Sequence, residues 1–144
     1  MGELLPIIER THLLFLNEKE VQVLTGKGFP AGARALRSYG CEAVVVTLGE
    51  GRRLQFGQGP DGEDSPSLSA YIIAGDREYG IEALAAPQMP REDTTGGGDA
   101  FAAGVLYGYL RGEDWKVCGH LGYCLAQFAI SRLVVCLRSI SLPG

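Results

Sequence analysis

The run Asp93-Thr94-Thr95-Gly96-Gly97-Gly98-Asp99 sets three glycines and a carboxylate directly before the small, apolar residues Ala100-Phe101-Ala102-Ala103. Glycine reaches left-handed backbone angles at little steric cost, so the N–H groups of Gly96, Gly97 and Gly98 can turn toward one point and form an anion nest. A helix expected to start near Asp99 adds the positive end of its dipole. That dipole favours the ionised form of Asp99, leaving a carboxylate able to take a proton from an attacking hydroxyl, the base that phosphoryl transfer uses. The plainer alternative makes Asp99 an N-cap and the glycines a tight turn.

Two other phosphate-binding patterns are excluded. A Walker A loop needs Gly-Lys and then Ser or Thr, and here Asp99-Ala100 follows Gly98. The letters of a dinucleotide fingerprint occur at Gly26-Lys27-Gly28-Phe29-Pro30-Ala31, but they follow a helical stretch and contain Pro30, so they read as a chance match.

The elements that must position this chemistry are legible in outline. Residues 3–10 read as helical, and the apolar run 11–17 as a short buried strand ending at Asn17. Helix formers over 18–25 stop at Gly26, and a second helix over 31–38 ends at Tyr39-Gly40. The segment 41–49 carries Val44-Val45-Val46 without alternation, which predicts a central strand buried on both faces, as in parallel sheets. Residues 57–66 read as a solvated loop, and 69–75 with 78–86 as a hairpin at a sheet edge, turning at Asp76. Helices over 100–110 and 115–132 follow, separated by Gly112-Glu113-Asp114. Strand, helix, strand and then helices make a layered α/β domain over residues 1–144, without internal repeats.

Composition narrows the function classes. With 17 acidic against 13 basic residues and no basic stripe, the chain lacks the electrostatic footprint of a nucleic-acid binder. Charged residues interrupt the apolar N-terminal segment, so it does not read as a signal peptide, and no run approaches the roughly 20 apolar residues of a membrane span. Cys41, Cys118, Cys124 and Cys136 form no C-x-x-C pair and, with His12 and His120, no metal-ligand spacing. Buried structural thiols in a reducing, cytoplasmic setting are expected.

Residues 93–106, DTTGGGDAFAAGVL, resemble the C-terminal signature of the ribokinase-like PfkB kinases of sugars and nucleosides. Asn17-Glu18-Lys19-Glu20 is similar to that family's N-x-x-E motif, and Thr47-Leu48-Gly49 to its T-x-G nucleotide-contact segment, both upstream in the family's order. The resemblance implies a three-layer α/β/α ribokinase-like domain, truncated so that the N-terminal half and its lid are absent. Residue by residue, it makes Asp99 the catalytic base and the backbone of Gly96, Gly97 and Gly98 the anion hole. Asn17 and Glu20 then hold Mg2+-bound phosphate through water, Thr47 and Gly49 line the ATP cleft, and Asp93 belongs to a loop for a monovalent cation such as K+. The chain departs from the pattern at Gly51, one position short of the family's next glycine, and in its tail, ISRLVVCLRSISLPG, where the family has a Gly-Ala turn.

Three readings follow. The chain is a kinase module that acts on a sugar or nucleoside once a complementing N-terminal half is present, a non-catalytic nucleotide-binding or interaction module, or a remnant without ligand. An uncovered sheet edge also invites homo-oligomers.

Overall fold

The computed structural model describes residues 2–53, 67–83 and 97–140, and the chain divides into two compact units, residues 1–84 and 85–144. In the first unit the order is α1 (Leu5–Glu9), β1 (Leu13–Asn17), α2 (Glu18–Thr25), α3 (Ala31–Ser38), β2 (Ala43–Arg53), β3 (Ser67–Ala74) and β4 (Arg77–Glu82). The strands form one sheet in the order β1-β2-β3-β4, with β1 and β2 parallel and the other two pairs antiparallel. The sheet is therefore mixed, and the expected hairpin is there: β3 and β4 join through Gly75 and Asp76, with Gly75 at φ 62°.

The valine run sits where its lack of alternation predicted. Val44 and Val46 pack into the core with Val21 of α2, Ala33 and Leu36 of α3, and Tyr71 and Ile73 of β3. Val45, of opposite parity, is equally inaccessible, as are Ile72 and Ile81. Both faces of the sheet interior are closed to solvent, so every side chain along 44–46 must be apolar whichever way it points.

Both crossover helices end and begin on local chemistry. Gly26 caps α2 in the left-handed region at φ 68°, donating its N–H to the Gln22 carbonyl. Because a helix and not a strand leads into Gly26, the dinucleotide-like letters 26–31 lack the strand that such a site requires. Arg34 of α3 reaches β4, with Nε 2.5 Å and Nη2 3.0 Å from the two oxygens of Glu78. The buried Tyr71 hydroxyl donates to the same carboxylate, and Phe29 stands edge-on to the Tyr71 ring with centroids 4.9 Å apart.

The second unit contains α4 (Gly97–Leu110) and α5 (Trp115–Ile140). The segment 111–114 turns the chain through Gly112 at φ 73°, and the Asp114 carbonyl accepts the Cys118 N–H at 2.9 Å to open α5. Close contact is possible because glycines meet: a Cβ on Gly104 would lie 2.6 Å from Gly122 Cα and from the Leu121 carbonyl oxygen. The stacked rings of Tyr109 and Trp115, 5.4 Å apart, close the turn end. Two boundaries differ from the sequence expectation. α4 already includes Gly97 and Gly98, ahead of Asp99, and α5 runs to Ile140, beyond 132. The expected loop 57–66 lies outside the described residues.

Gly104→Ala should destabilise the fold by about 1–3 kcal/mol, since the added carbon meets backbone that no rotamer change can clear. A urea titration reads it, and an unchanged midpoint would mean that the two helices separate freely. The Arg34 guanidinium, aided by the Tyr71 hydroxyl, holds the Glu78 carboxyl below the usual carboxylate range, while burial acts the other way. A depressed folded-state value contributes stability above the unfolded value of about 4.3 and loses it as pH falls through the folded one. Glu78→Gln should therefore be less stable than the parent at pH 7 by about 1 kcal/mol, and the gap should close on acidification.

Candidate functional site

β1 and β2 run in the same direction, so their carboxyl ends emerge side by side. Asn17, the last residue of β1, is the Cα partner of Thr47 in β2. In an open α/β sheet, ligands bind in the crevice beyond these ends. Asn17 is also the N-cap of α2, with extended φ −88° and ψ 170°. Its side-chain oxygen accepts the Glu20 N–H at 2.8 Å, and Glu20 Oε2 accepts the Asn17 N–H at 2.8 Å, a reciprocal capping box. The structure thus brings Asn17, Glu20 and Thr47 together, with Asn17 and Glu20 exposed and Thr47 half-buried.

The Thr47-Leu48-Gly49 segment corrects one expectation. It does not end its strand, because β2 continues to Arg53. The pairing with β3 instead breaks after Thr47: Thr47 faces Ala70 and Arg52 faces Leu68, so residues 48–51 stand opposite the single residue Ser69. Gly49 in this bulge has φ 54°, and a Cβ there would meet nothing within 4 Å. Leu48 turns into the core, leaving Gly49 exposed at the strand ends. Bulges of this kind bend a strand and interrupt its pairing.

A groove of about 400 Å³ lies along α2, lined by Leu16, Asn17, Lys19, Glu20, Val23 and Leu24. Lys19 escaped the sequence reading. Its signal was a cation in the first turn of a helix, where the dipole disfavours positive charge unless an anion is near.

The second unit presents the other predicted residues. Gly97, Gly98 and Asp99 all lie within α4, so Asp99 is not the N-cap. Gly98 does not take the left-handed angle expected of a nest: it lies in α4 and is not among the glycines with positive φ. The donors available to an anion are then the unpaired N–H groups that open every helix. A Cβ on Gly98 would meet no atom within 4 Å. Asp99 is exposed and has no hydrogen-bond or ion-pair partner among the described residues. Asp93 and Gly96 lie outside the described residues.

A family model described as pfkB family carbohydrate kinase matches residues 64–138, which include the glycine run and both helices of the second unit. The chain belongs to the pfkB family of carbohydrate kinases. It is 32% identical over 132 residues to an uncharacterized sugar kinase of Archaeoglobus fulgidus, covering 92% of this chain and 45% of that protein. It is 37% identical over 129 residues to a cytidine kinase of Thermococcus kodakarensis, covering 88% and 39%. The crystal structure of adenosine kinase from Sinorhizobium meliloti superposes with a TM-score of 0.67 at 26% identity, covering 88% of this chain and 33% of that one. The chain thus has the ribokinase-like α/β fold and spans less than half the length of these pfkB relatives.

Mg2+ fits the pfkB residues present. No group of three His, Cys, Asp or Glu able to hold an ion exists among the described residues. Magnesium keeps much of its water and binds through one or two carboxylates plus phosphate, and Glu20 retains one carboxylate oxygen outside the capping box.

Gly49→Ala should lower stability by about 1–2 kcal/mol through backbone strain alone, since the position is left-handed and sterically open. Gly49→Asn should lower it less, because asparagine tolerates that region. Equal denaturation midpoints for all three proteins would show that the bulge relaxes to ordinary strand.

Proposed function

We propose that this chain is the donor-binding, C-terminal nucleotide-binding part of an ATP-dependent phosphotransferase that passes the γ-phosphoryl group to an alcohol of a sugar or nucleoside. The observation that carries the reading is the first turn of α4. Glycine in a helix is up to about 1 kcal/mol worse than alanine, and at Gly98 the fold leaves open space for the missing methyl. A glycine kept there at such a cost, next to an exposed and unpartnered Asp99, suits a phosphoryl group that approaches the backbone.

In this reading Asp99 removes the proton of the acceptor hydroxyl, and the backbone N–H groups of Gly96, Gly97 and Gly98 take the charge that develops on the transferred group. Thr47 and Gly49 line the nucleotide cleft at the strand ends, and Asn17 and Glu20 serve magnesium-bound phosphate. Magnesium, when bound, neutralises the donor phosphates. Asp93 belongs to a K+ loop. The acceptor is chosen by the complementing N-terminal half, in a cytoplasmic setting.

A second reading, a nucleotide-binding or protein-interaction module without catalysis, is favoured by β1. It is the end strand of the described sheet, and Leu13-Leu14-Phe15-Leu16 is apolar on both faces, a template for pairing with another chain.

Calorimetric titration should show binding of Mg-ADP and no response to NAD. Gly98→Ala should keep or raise the melting temperature while weakening Mg-ADP binding. Asp99→Asn should leave nucleotide affinity nearly unchanged and lower turnover by about 10²- to 10⁴-fold in a chain rejoined to an N-terminal half. Near-parental turnover of Asp99→Asn would remove it from the chemistry, whereas no turnover in the rejoined parent would favour the module without catalysis.

A further inference from the structure

A second pocket, of about 230 Å³, lies between the last turn of α3 and the β3–β4 hairpin, and most of its polar groups are already satisfied. Arg34 and Glu78 hold each other at 2.5 and 3.0 Å, and the Ser38 hydroxyl donates to the Ala35 carbonyl at 2.5 Å. Two groups remain. Arg37 has no hydrogen bond or ion pair among the described residues, and its Nε, closed to solvent, has no acceptor. Asp76, exposed in the hairpin turn, has no partner among them either, and no ion pair joins the two. A guanidinium and a carboxylate thus line one small pocket, each with its charge uncompensated, and Ile73 adds an apolar wall.

The two unmatched charges decide the class of ligand. An anion alone would gain Arg37 but meet Asp76 and the negative end of the α3 dipole. A cation alone would gain Asp76 and meet Arg37. A molecule with a carboxylate at one end and an ammonium at the other satisfies both, because the guanidinium offers paired N–H donors to the first and Asp76 accepts from the second. Size is limited by the volume, which falls below the roughly 300 Å³ at which pockets for drug-sized ligands begin. We propose that this pocket binds a small zwitterion of the α-amino-acid class, with its carboxylate on Arg37 and its ammonium on Asp76. Binding then gives Nε the acceptor it lacks. The site is separate from the crevice at the strand ends: the hairpin turn follows Ala74, the partner of Ala43 where β2 begins, whereas Asn17 and Thr47 stand at the other end of the parallel pair.

Titration of the 144-residue chain with L-alanine at constant ionic strength, followed through the amide NMR signals, tests the assignment. The amides of Ser38, Gly75 and Asp76 should shift saturably while that of Asn17 stays in place. Acetate and methylammonium, each one half of the ligand, should bind about 10- to 100-fold more weakly, since each lacks a charge-assisted contact. Arg37→Gln and Asp76→Asn should each weaken L-alanine binding by a similar factor, and the second places asparagine in a turn that suits it, so the fold is kept for the measurement. Acetate binding as tight as that of L-alanine would make this a plain anion site and overturn the proposal. Unchanged L-alanine affinity in either variant, or no saturable shift in the parent, would overturn it equally.

Discussion

Parallel pairing of β1 with β2 governs everything the first unit can do at its ligand-facing end. Two strands that run the same way must be joined by a crossover, here α2 and α3, and the first crossover helix has to begin at the end of the first strand. That requirement puts a helix N-terminus, its unpaired N–H groups and its capping residue beside the end of the second strand. Asn17 meets it by finishing β1, capping α2 and facing Thr47 at once. Losing the parallel register by one residue would invert the valine run and separate these ends together.

The remaining contacts hold that arrangement from the side. Arg34 ties α3 to β4 through Glu78, and the Tyr71 hydroxyl shares the carboxylate from within the core. Burial, and then the hydrogen bond to Glu78 and its charge, push the Tyr71 hydroxyl above its usual range, so it stays a donor at any physiological pH. An ion pair half open to water contributes modestly by itself. Its value here is positional, because it spans from helix to hairpin and satisfies the polar group of the largest fully buried side chain.

How much of this is legible in the sequence depends on the range of the deciding interaction. Helices α2 and α3 and strand β1 stand where patterning puts them, because Gly26, the apolar period and the 13–16 run act locally. The burial of Val44-Val45-Val46 was readable for the same reason. Strand direction was not: unbroken valines fit a parallel sheet, yet β2 has one parallel neighbour, β1, and one antiparallel neighbour, β3, and an apolar run buried on both faces reads the same beside either. The bulge at 48–51 was read as a strand end, since a glycine after an apolar run signals either, and only the pairing with β3 separates them. At the site, residue types were legible and their geometry was not. Asn17 and Glu20 were recognised by resemblance to a family motif, whereas their reciprocal bonds emerge only with the helix; Gly98, read with Gly96 and Gly97 as a nest, lies in α4 without a positive φ.

Glu20 and Asp99 both lie in the first turn of a helix, and what distinguishes them is what their carboxylates touch. Before Glu20 stands Asn17, whose amide closes a reciprocal bond and immobilises the carboxylate. Asp99, exposed in α4, has no partner among the described residues. An acid whose oxygen is tied to the backbone is suited to holding a fixed charge; an acid left unpaired beside open backbone is suited to exchanging a proton with something that arrives. The same first-turn position thus yields two different instruments, and whether the carboxylate is tied to the backbone selects between them.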